Sequence, residues 1–373
     1  ASPCALILST PASILSAIGG AARRGVLFKG GVHLEQTAEV EVVAFDKTGT
    51  LTEGKPRVTD AVARGTRVSL DEEAAKSGAH TEGLALLRFA AAVEFKSEHP
   101  LAHALVEEAQ RRGLALPNCG EFQSGSGQGA SGVVEGRRIA VGSARYFETL
   151  GVAGCEETRA CVEALQREGK TCVLVAELGA AGGGAMLGAV AIADVLRAGA
   201  ADVVARLKAE GVKRVVMLTG DNARVANAIA RQAGVDEVHA DLLPQDKVRV
   251  IRELKAIGPV AMVGDGVNDA PALALANVGI AMGAAGTDVA METADVVLMS
   301  DNLQNVPFAI AIARQARRVI WQNLTFALSV ILLLMISALG FNLPLPFGVV
   351  GHEGSTVIVC LNGLRLLAFR GRR

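Results

Sequence analysis

Three apolar runs rich in β-branched residues recur along the chain, and each ends abruptly in a polar cluster. Val40 to Phe45 runs into Asp46-Lys47-Thr48-Gly49-Thr50-Leu51-Thr52. Val215 to Leu218 runs into Thr219-Gly220-Asp221-Asn222, and Val260 to Val263 into Gly264-Asp265-Gly266-Val267-Asn268-Asp269. Such runs predict strands of a buried parallel sheet, and their carboxyl ends are where open α/β sheets bind ligands. A different pattern closes the chain. Val319 to Phe341 is almost free of charge over the ~20 residues needed to cross a bilayer. Leu343 to Phe369 is a second candidate span, interrupted by His352 and Glu353. Ala5 to Ile18 is apolar but too short to cross, and reads as the second half of a membrane helix cut at its start.

The stretch between Asp46 and Thr219 is too long for a loop, so residues 58–176 read as an inserted domain. Within it, Glu135-Gly136 is expected to turn a hairpin, and Gly179–Gly184 reads as a turn or linker. The expected division is a membrane segment and its exit over 1–29, a sheet domain in two pieces over 30–57 and 177–310, the insertion, and two spans over 311–373.

Composition narrows the partners. Hydrophobic residues make up 50% and charged residues 20%, enough for a large core. A net charge of −1 and 3% aromatic residues give no footing for nucleic acid. Six cysteines without a CxxC pair fit a reducing compartment better than a disulfide framework. Basic residues cluster beside the apolar segments: Arg23, Arg24 and Lys29; Arg314, Arg317 and Arg318; Arg365, Arg370, Arg372 and Arg373. All fall on one side of the membrane, which is therefore expected to be cytosolic together with residues 30–310. Lipid is then a partner of the apolar segments.

The polar clusters carry specific chemistry. Asp46, at a strand end, is placed as a nucleophile, and the Thr/Gly turn behind it offers hydroxyls and backbone N–H groups to a phosphoryl group. Asp265 and Asp269 supply hard oxygen ligands suited to Mg2+. Lys247 lies between two strand-end clusters and is the expected countercharge, and Thr219 can donate to a phosphoryl oxygen. The heptapeptide Asp46–Thr52 resembles the phosphorylation loop of P-type ATPases. Thr219–Asn222, Pro244-Gln245-Asp246-Lys247, Gly264–Asp269 and Asp194-Val195-Leu196-Arg197 resemble further elements of that family, in the family's order. The resemblance implies a haloacid-dehalogenase-like (Rossmannoid) α/β phosphorylation domain, an inserted α+β nucleotide-binding domain and transmembrane helices. It implies catalytic roles for Asp46, Lys47, Thr48, Thr219, Gly220, Asp221 and Lys247, and a Mg2+ site around Asp46, Thr48, Asp265 and Asp269. Phosphatases on this type of sheet place a second Asp two residues after the nucleophile. Here that position is Thr48, which cannot serve as the acid/base that speeds hydrolysis.

Glu94, His99 and Pro100 are spaced as in the nucleotide domain of heavy-metal P-type ATPases, implying that ATP is read there. Gly127, Gly129 and Gly142 follow, where glycine lets backbone approach a nucleotide closely. His80 and His103 have no motif around them and read as surface residues.

The opening Ser2-Pro3-Cys4 and the later His352-Glu353-Gly354-Ser355-Thr356 resemble the paired membrane motifs of a heavy-metal subgroup linked to Co2+, Zn2+ and related ions. One thiolate with imidazole and carboxylate suits a borderline divalent ion better than Cu(I). Ser2, Cys4, His352, Glu353 and Thr356 are the implied cargo ligands, whereas Asn323 and Asn362 read as helix–helix hydrogen bonds. The earlier membrane helices and the Thr-Gly-Glu loop of such pumps do not occur in the sequence. The chain therefore reads as a C-terminal portion of a pump in a bacterial plasma membrane, binding ATP without full turnover. A soluble phosphohydrolase of the same sheet type and a non-catalytic ATP-binding fragment are the rival readings.

Overall fold

The computed structural model describes residues 4–70, 78–97, 99–125, 129–152, 156–179, 183–265, 269–283, 292–341 and 344–371. The chain divides into two compact units. One comprises residues 1–51, 198–219 and 233–373; the other comprises 52–197 and 220–232.

The first unit is built on a seven-stranded sheet. Its order is Val26–Phe28, Val296–Leu298, Val278–Met282, Val260–Gly264, Val42–Asp46, Arg214–Leu218, Glu237–His239. Among the described residues of this sheet, the pairing of the edge strand Val26–Phe28 is antiparallel and the others are parallel. All five residues of Val42–Asp46 are buried, as expected of a strand covered on both faces. The three expected strands form with ends shifted by one or two residues. Val40, expected within a strand, instead caps the helix Gly31–Glu39.

Chain order reverses beside Val42–Asp46. From there the chain adds Arg214–Leu218 and then Glu237–His239 on one side, and returns to add Val260–Gly264 on the other. Such a reversal opens a crevice beyond the carboxyl ends of the strands. Register brings those ends level: Asp46 lies opposite Leu218, and Phe45 opposite Val263.

The same unit carries three apolar helices, Cys4–Ala22, Asn305–Phe341 and Leu345–Leu364, which meet at a cluster of Ala5, Ala327 and Val359. Among the described residues, Ala5–Ala22 and Asn305–Gly340 are long and apolar enough to cross a membrane. The first corrects the expectation from Ala5 to Ile18. The helix has 19 residues, or ~28 Å at 1.5 Å per residue. The second C-terminal candidate forms a shorter helix than expected, 20 residues, followed by a 3-10 turn over Arg365–Ala368. Asn323 is buried at the helix junction. Its amide donates to Ser13 Oγ (3.3 Å) and to the Val359 carbonyl (3.1 Å), and its oxygen accepts from Asn362 (2.8 Å). These bonds link three helices and match the helix–helix reading of both asparagines.

The second unit holds a seven-stranded antiparallel sheet, in the order Thr66–Ser69, Arg57–Ala63, Gly184–Ala193, Thr171–Leu178, Arg137–Gly142, Gly129–Val134, Cys119–Gly125. The alanine-rich helix Gly78–Glu94 packs Leu86, Leu87, Ala90, Ala91 and Val93 into the core on this sheet. His80 is buried, not at the surface as expected, because it lies seven positions before the core residue Leu87 and so on the helix face that the sheet covers; His103 is exposed. Glu135 and Gly136 turn the expected hairpin, both at positive φ. The insertion extends beyond residue 176. Gly184–Ala193 pairs with both Arg57–Ala63 and Thr171–Leu178, so the glycine-rich stretch before it is a hairpin connection and not a linker. Where the chain crosses into and out of this unit, Thr52 Oγ1 and Gly54 N–H donate to Asp194 (2.5 and 3.1 Å), and Arg197 Nε donates to the Thr52 carbonyl (3.0 Å).

Candidate phosphorylation and nucleotide sites

Asp46 is the last residue of the central strand and is buried. The chain behind it turns sharply. Thr48 (φ −76°, ψ 128°) and Gly49 (φ 72°, ψ −4°) have the dihedrals of a type II turn, which needs glycine at its second central position. Glycine also leaves room for a neighbour: a Cβ there would stand 3.3 Å from Asp265 Oδ2. The turn buries Lys47 and Thr50 and exposes Thr48.

Lys247 reaches this site by helical periodicity. The helix Pro244–Lys255 buries Val250, Ile251 and Leu254 against Val42, Ala44, Val216, Val260 and Met262 of the sheet. Lys247 precedes those residues by three, four and seven positions, so it shares their face one turn nearer the helix start. Its Nζ donates to Asp46 Oδ1 and to Asp269 Oδ1, both at 2.6 Å. Thr219, following the neighbouring strand, is buried, and its N–H donates to the His239 carbonyl (3.0 Å). Gly220 and Asp221 belong to the segment that clusters with the second unit. There they lead into the helix Ala223–Ala233, and Asn222 Oδ1 accepts from the N–H groups of Arg224 and Val225.

The electrostatics show a shortage of positive charge. Burial, then the Asp269 carboxylate, and to a lesser degree Asp265 push the Asp46 carboxyl up to about 7, against the pull of Lys247. Burial disfavours the Lys247 ammonium, but Asp46 and Asp269 outweigh it and hold the lysine at about 12. Asp269 Oδ2 is buried with no hydrogen-bond partner among the described residues, as is Thr50 Oγ1. Asp46 and Asp269 share the Lys247 ammonium, Asp265 adds its charge to Asp46, and a buried Asp269 oxygen is left over, a set that fits a hard divalent cation such as Mg2+. No motif singles out Thr50 for a role of its own.

In the second unit a cavity of about 210 Å3 is lined by Glu94, Ser97, His99, Gly129, Gly142 and the strand start Thr171–Val173, among others. Glu94 ends one helix and His99 caps the next, so the break between the two helices forms one wall. Gly129 pairs with Gly142 across the sheet. Gly127 lies outside the described residues. The His99 side chain accepts at Nδ1 from the Leu101 N–H (3.2 Å). Nδ1 is thus unprotonated in the neutral ring, and Nε2 carries the hydrogen as a donor. Partial burial lowers the pKa of His99, favouring that neutral form. Burial raises the pKa of Glu94, with a hydrogen bond from Ser97 working against it. Pockets for whole small molecules typically span ~300–1,000 Å3. This one is smaller, with room for part of such a molecule. The strand residues Thr171–Val173 carry no motif, so nothing in the sequence points to them.

The implied cargo ligands are not brought together among the described residues. No cluster of three or more His, Cys, Asp or Glu suited to a metal occurs there. Ser2 and the side chain of Cys4 lie outside what is described. Glu353 is exposed on its helix, and the Ser355 and Thr356 hydroxyls donate to the His352 carbonyl (2.7 and 3.3 Å).

The profile of the haloacid dehalogenase-like hydrolases matches residues 40–277, and the chain belongs to that family. Its sequence is 41% identical over 377 residues to a cadmium-transporting ATPase of Staphylococcus aureus, covering 99% of this chain and 49% of the relative. It is 43% identical over 374 residues to a probable cobalt/nickel-exporting P-type ATPase of Mycobacterium bovis, covering 100% of this chain and 53% of the relative. Among solved structures it is similar to a zinc-transporting PIB-type ATPase in an E2.Pi state. There the TM-score is 0.76 at 43% identity, over 98% of this chain and 56% of that one. The chain spans about half the length of the curated relatives it matches.

Proposed function

We propose that the chain is the catalytic and C-terminal membrane part of a P-type ATPase that exports a divalent heavy-metal cation from a bacterial cytoplasm across the plasma membrane. The observation that carries this reading is Lys247, which holds Asp46 and Asp269 at 2.6 Å each where the strand ends lie level. A buried carboxylate beside a fixed ammonium can attack a phosphoryl group whose charge that ammonium then offsets.

ATP enters with its base and sugar in the second unit's cavity. The Nε2–H of His99 donates to a ring nitrogen of the base, and the Glu94 carboxylate accepts from its exocyclic amine. In the first unit Asp46 attacks the γ-phosphorus, the bond to the leaving ADP breaks, and an aspartyl phosphate forms. Thr219, Lys247 and the N–H groups of the 47–50 turn hold the transferred oxygens. Mg2+, held by Asp46, Asp265 and Asp269 with the Thr48 backbone beside them, would offset the negative charge of the phosphoryl group. Thr48 cannot act as a hydrolytic base, so the phosphoenzyme persists. That supports a pump over a soluble phosphohydrolase, as do the apolar helices.

The cargo is proposed to bind Cys4, His352 and Glu353, with oxygens from Ser2 and Thr356. Support comes from the helix packing. Ala5 shares a buried cluster with Ala327 and Val359, so the helix Cys4–Ala22 packs with the helix that carries His352, Glu353 and Thr356. Co2+ and Zn2+ are the expected ions. The relatives' names add Cd2+ and Ni2+ to the panel worth testing. The test is ATP hydrolysis by the pump across that panel, with X-ray absorption of the bound ion. Stimulation by divalent ions and a shell containing sulfur and imidazole are expected. A shell with neither would sink this cargo site.

A further inference from the structure

One arginine joins the phosphorylation sheet to the longest apolar helix. Arg314 sits ten residues into Asn305–Phe341 and is half-buried. Its guanidinium donates to three backbone carbonyls on two other elements. Nη2 donates to Val40 O (2.6 Å), Nε to Ala38 O (3.4 Å) and Nη1 to Glu210 O. Ala38 and Val40 lie at the carboxyl end of the helix Gly31–Glu39, and Glu210 caps that of the helix Ala200–Ala209. The last carbonyls of a helix lack partners within it and carry partial negative charge, so a cation placed there is stabilising.

The two helix ends are not arbitrary. Gly31–Glu39 leads directly into the strand that ends at Asp46, and Ala200–Ala209 into the strand that precedes Thr219. The intervening turns are stitched together, since Lys213 N–H donates to Glu41 O (2.8 Å). The approach is close: a Cβ on Gly211, which has a φ of +93°, would stand 3.0 Å from Arg314 Nη1. The neighbouring Arg317 makes a different contact, a single ion pair to Glu39 at 3.4 Å between two exposed side chains.

We propose that Arg314 is a positioning residue for the phosphorylation site, tying the segments that carry Asp46 and Thr219 to the long apolar helix so that occupancy at Asp46 is felt along that helix. The inference rests on reading Asp46 as the phosphorylated residue. A displacement of either strand end pulls on a carbonyl that Arg314 holds, and the helix must follow or the bond must break. A planar fork reaches these separated carbonyls because its donors sit on three different nitrogens, Nε, Nη1 and Nη2. Lysine has the charge, but its three N–H groups share one nitrogen. Coupling of this kind is reciprocal, so what loosens the helix also changes ligand affinity at Asp46.

The test is hydrogen–deuterium exchange on the whole chain, with and without Mg2+ and beryllium fluoride, which mimics a phosphoryl group on an aspartate. The wild-type chain is expected to gain protection over residues 46–50 and to change exchange over 305–318. Arg314→Met should keep the first response and lose the second, Arg314→Lys should lose most of it, and Arg317→Met should keep both. If Arg314→Met does not fold, the lysine variant decides. An unchanged response over 305–318 in the variants overturns the inference, as does its absence from a wild-type chain protected at 46–50. Failure of beryllium fluoride to protect residues 46–50 in the wild-type chain would overturn the phosphorylation reading itself, and the inference with it.

Discussion

Asp46 has to be ionised to attack, yet its surroundings hold its pKa at about 7. Removing the second-largest cause should lower that value, so Asp269→Asn is expected to move the Asp46 titration down. Infrared observation of the protonated carboxyl band in Mg2+-free protein would follow it. The sign for stability is fixed by the same shift. The folded-state pKa lies above the unfolded value near 3.8, so this group contributes stability that is fully present below pH 3.8 and is lost as pH rises through about 7. Mg2+ should restore stability at the alkaline end, and thermal melts at pH 5 and pH 8 with and without Mg2+ would show it. His99 offers a second residue-level test. His99→Ala removes one hydrogen bond to the base and should weaken ATP binding by roughly 1–2 kcal/mol by calorimetry. Equal affinity in the variant would contradict the role given to the Nε2–H. These residues are legible in the sequence because strand-end and cap positions are local. His80 is not: its burial depends on which face of a helix the sheet covers.

Elements explain why the site residues converge. Val250, Ile251 and Leu254 orient the helix that aims Lys247, and their spacing is legible in the sequence itself. The extent of the inserted domain is not. The strand Gly184–Ala193 follows a glycine-rich stretch that resembles a linker, and only its pairing on both sides shows it to be central. A piece spanning residues 52–197 is therefore expected to fold cooperatively and bind ATP. A piece ending at 176 would lose a strand from the interior of its sheet, leaving two unpaired edges. Circular dichroism melts of the two should differ, and a cooperative melt of equal midpoint for the shorter piece would contradict the assignment.

For the whole molecule, the order of the parts is written in the sequence more plainly than the joints between them. The basic clusters flanking the apolar runs and the strand-end motifs are visible as patterns, because both follow from the chemistry of single segments. The Asn323 junction and the Arg314 link depend on which helices meet, and no periodicity reveals that. All these connections matter only if Asp46 accepts a phosphoryl group. Incubating the chain with Mg2+ and γ-labelled ATP tests that most directly. The expected label survives acid, is released by hydroxylamine, and is absent from Asp46→Asn even though that variant still binds ATP. Label persisting on the variant, or none on a wild-type chain that binds ATP, would contradict it.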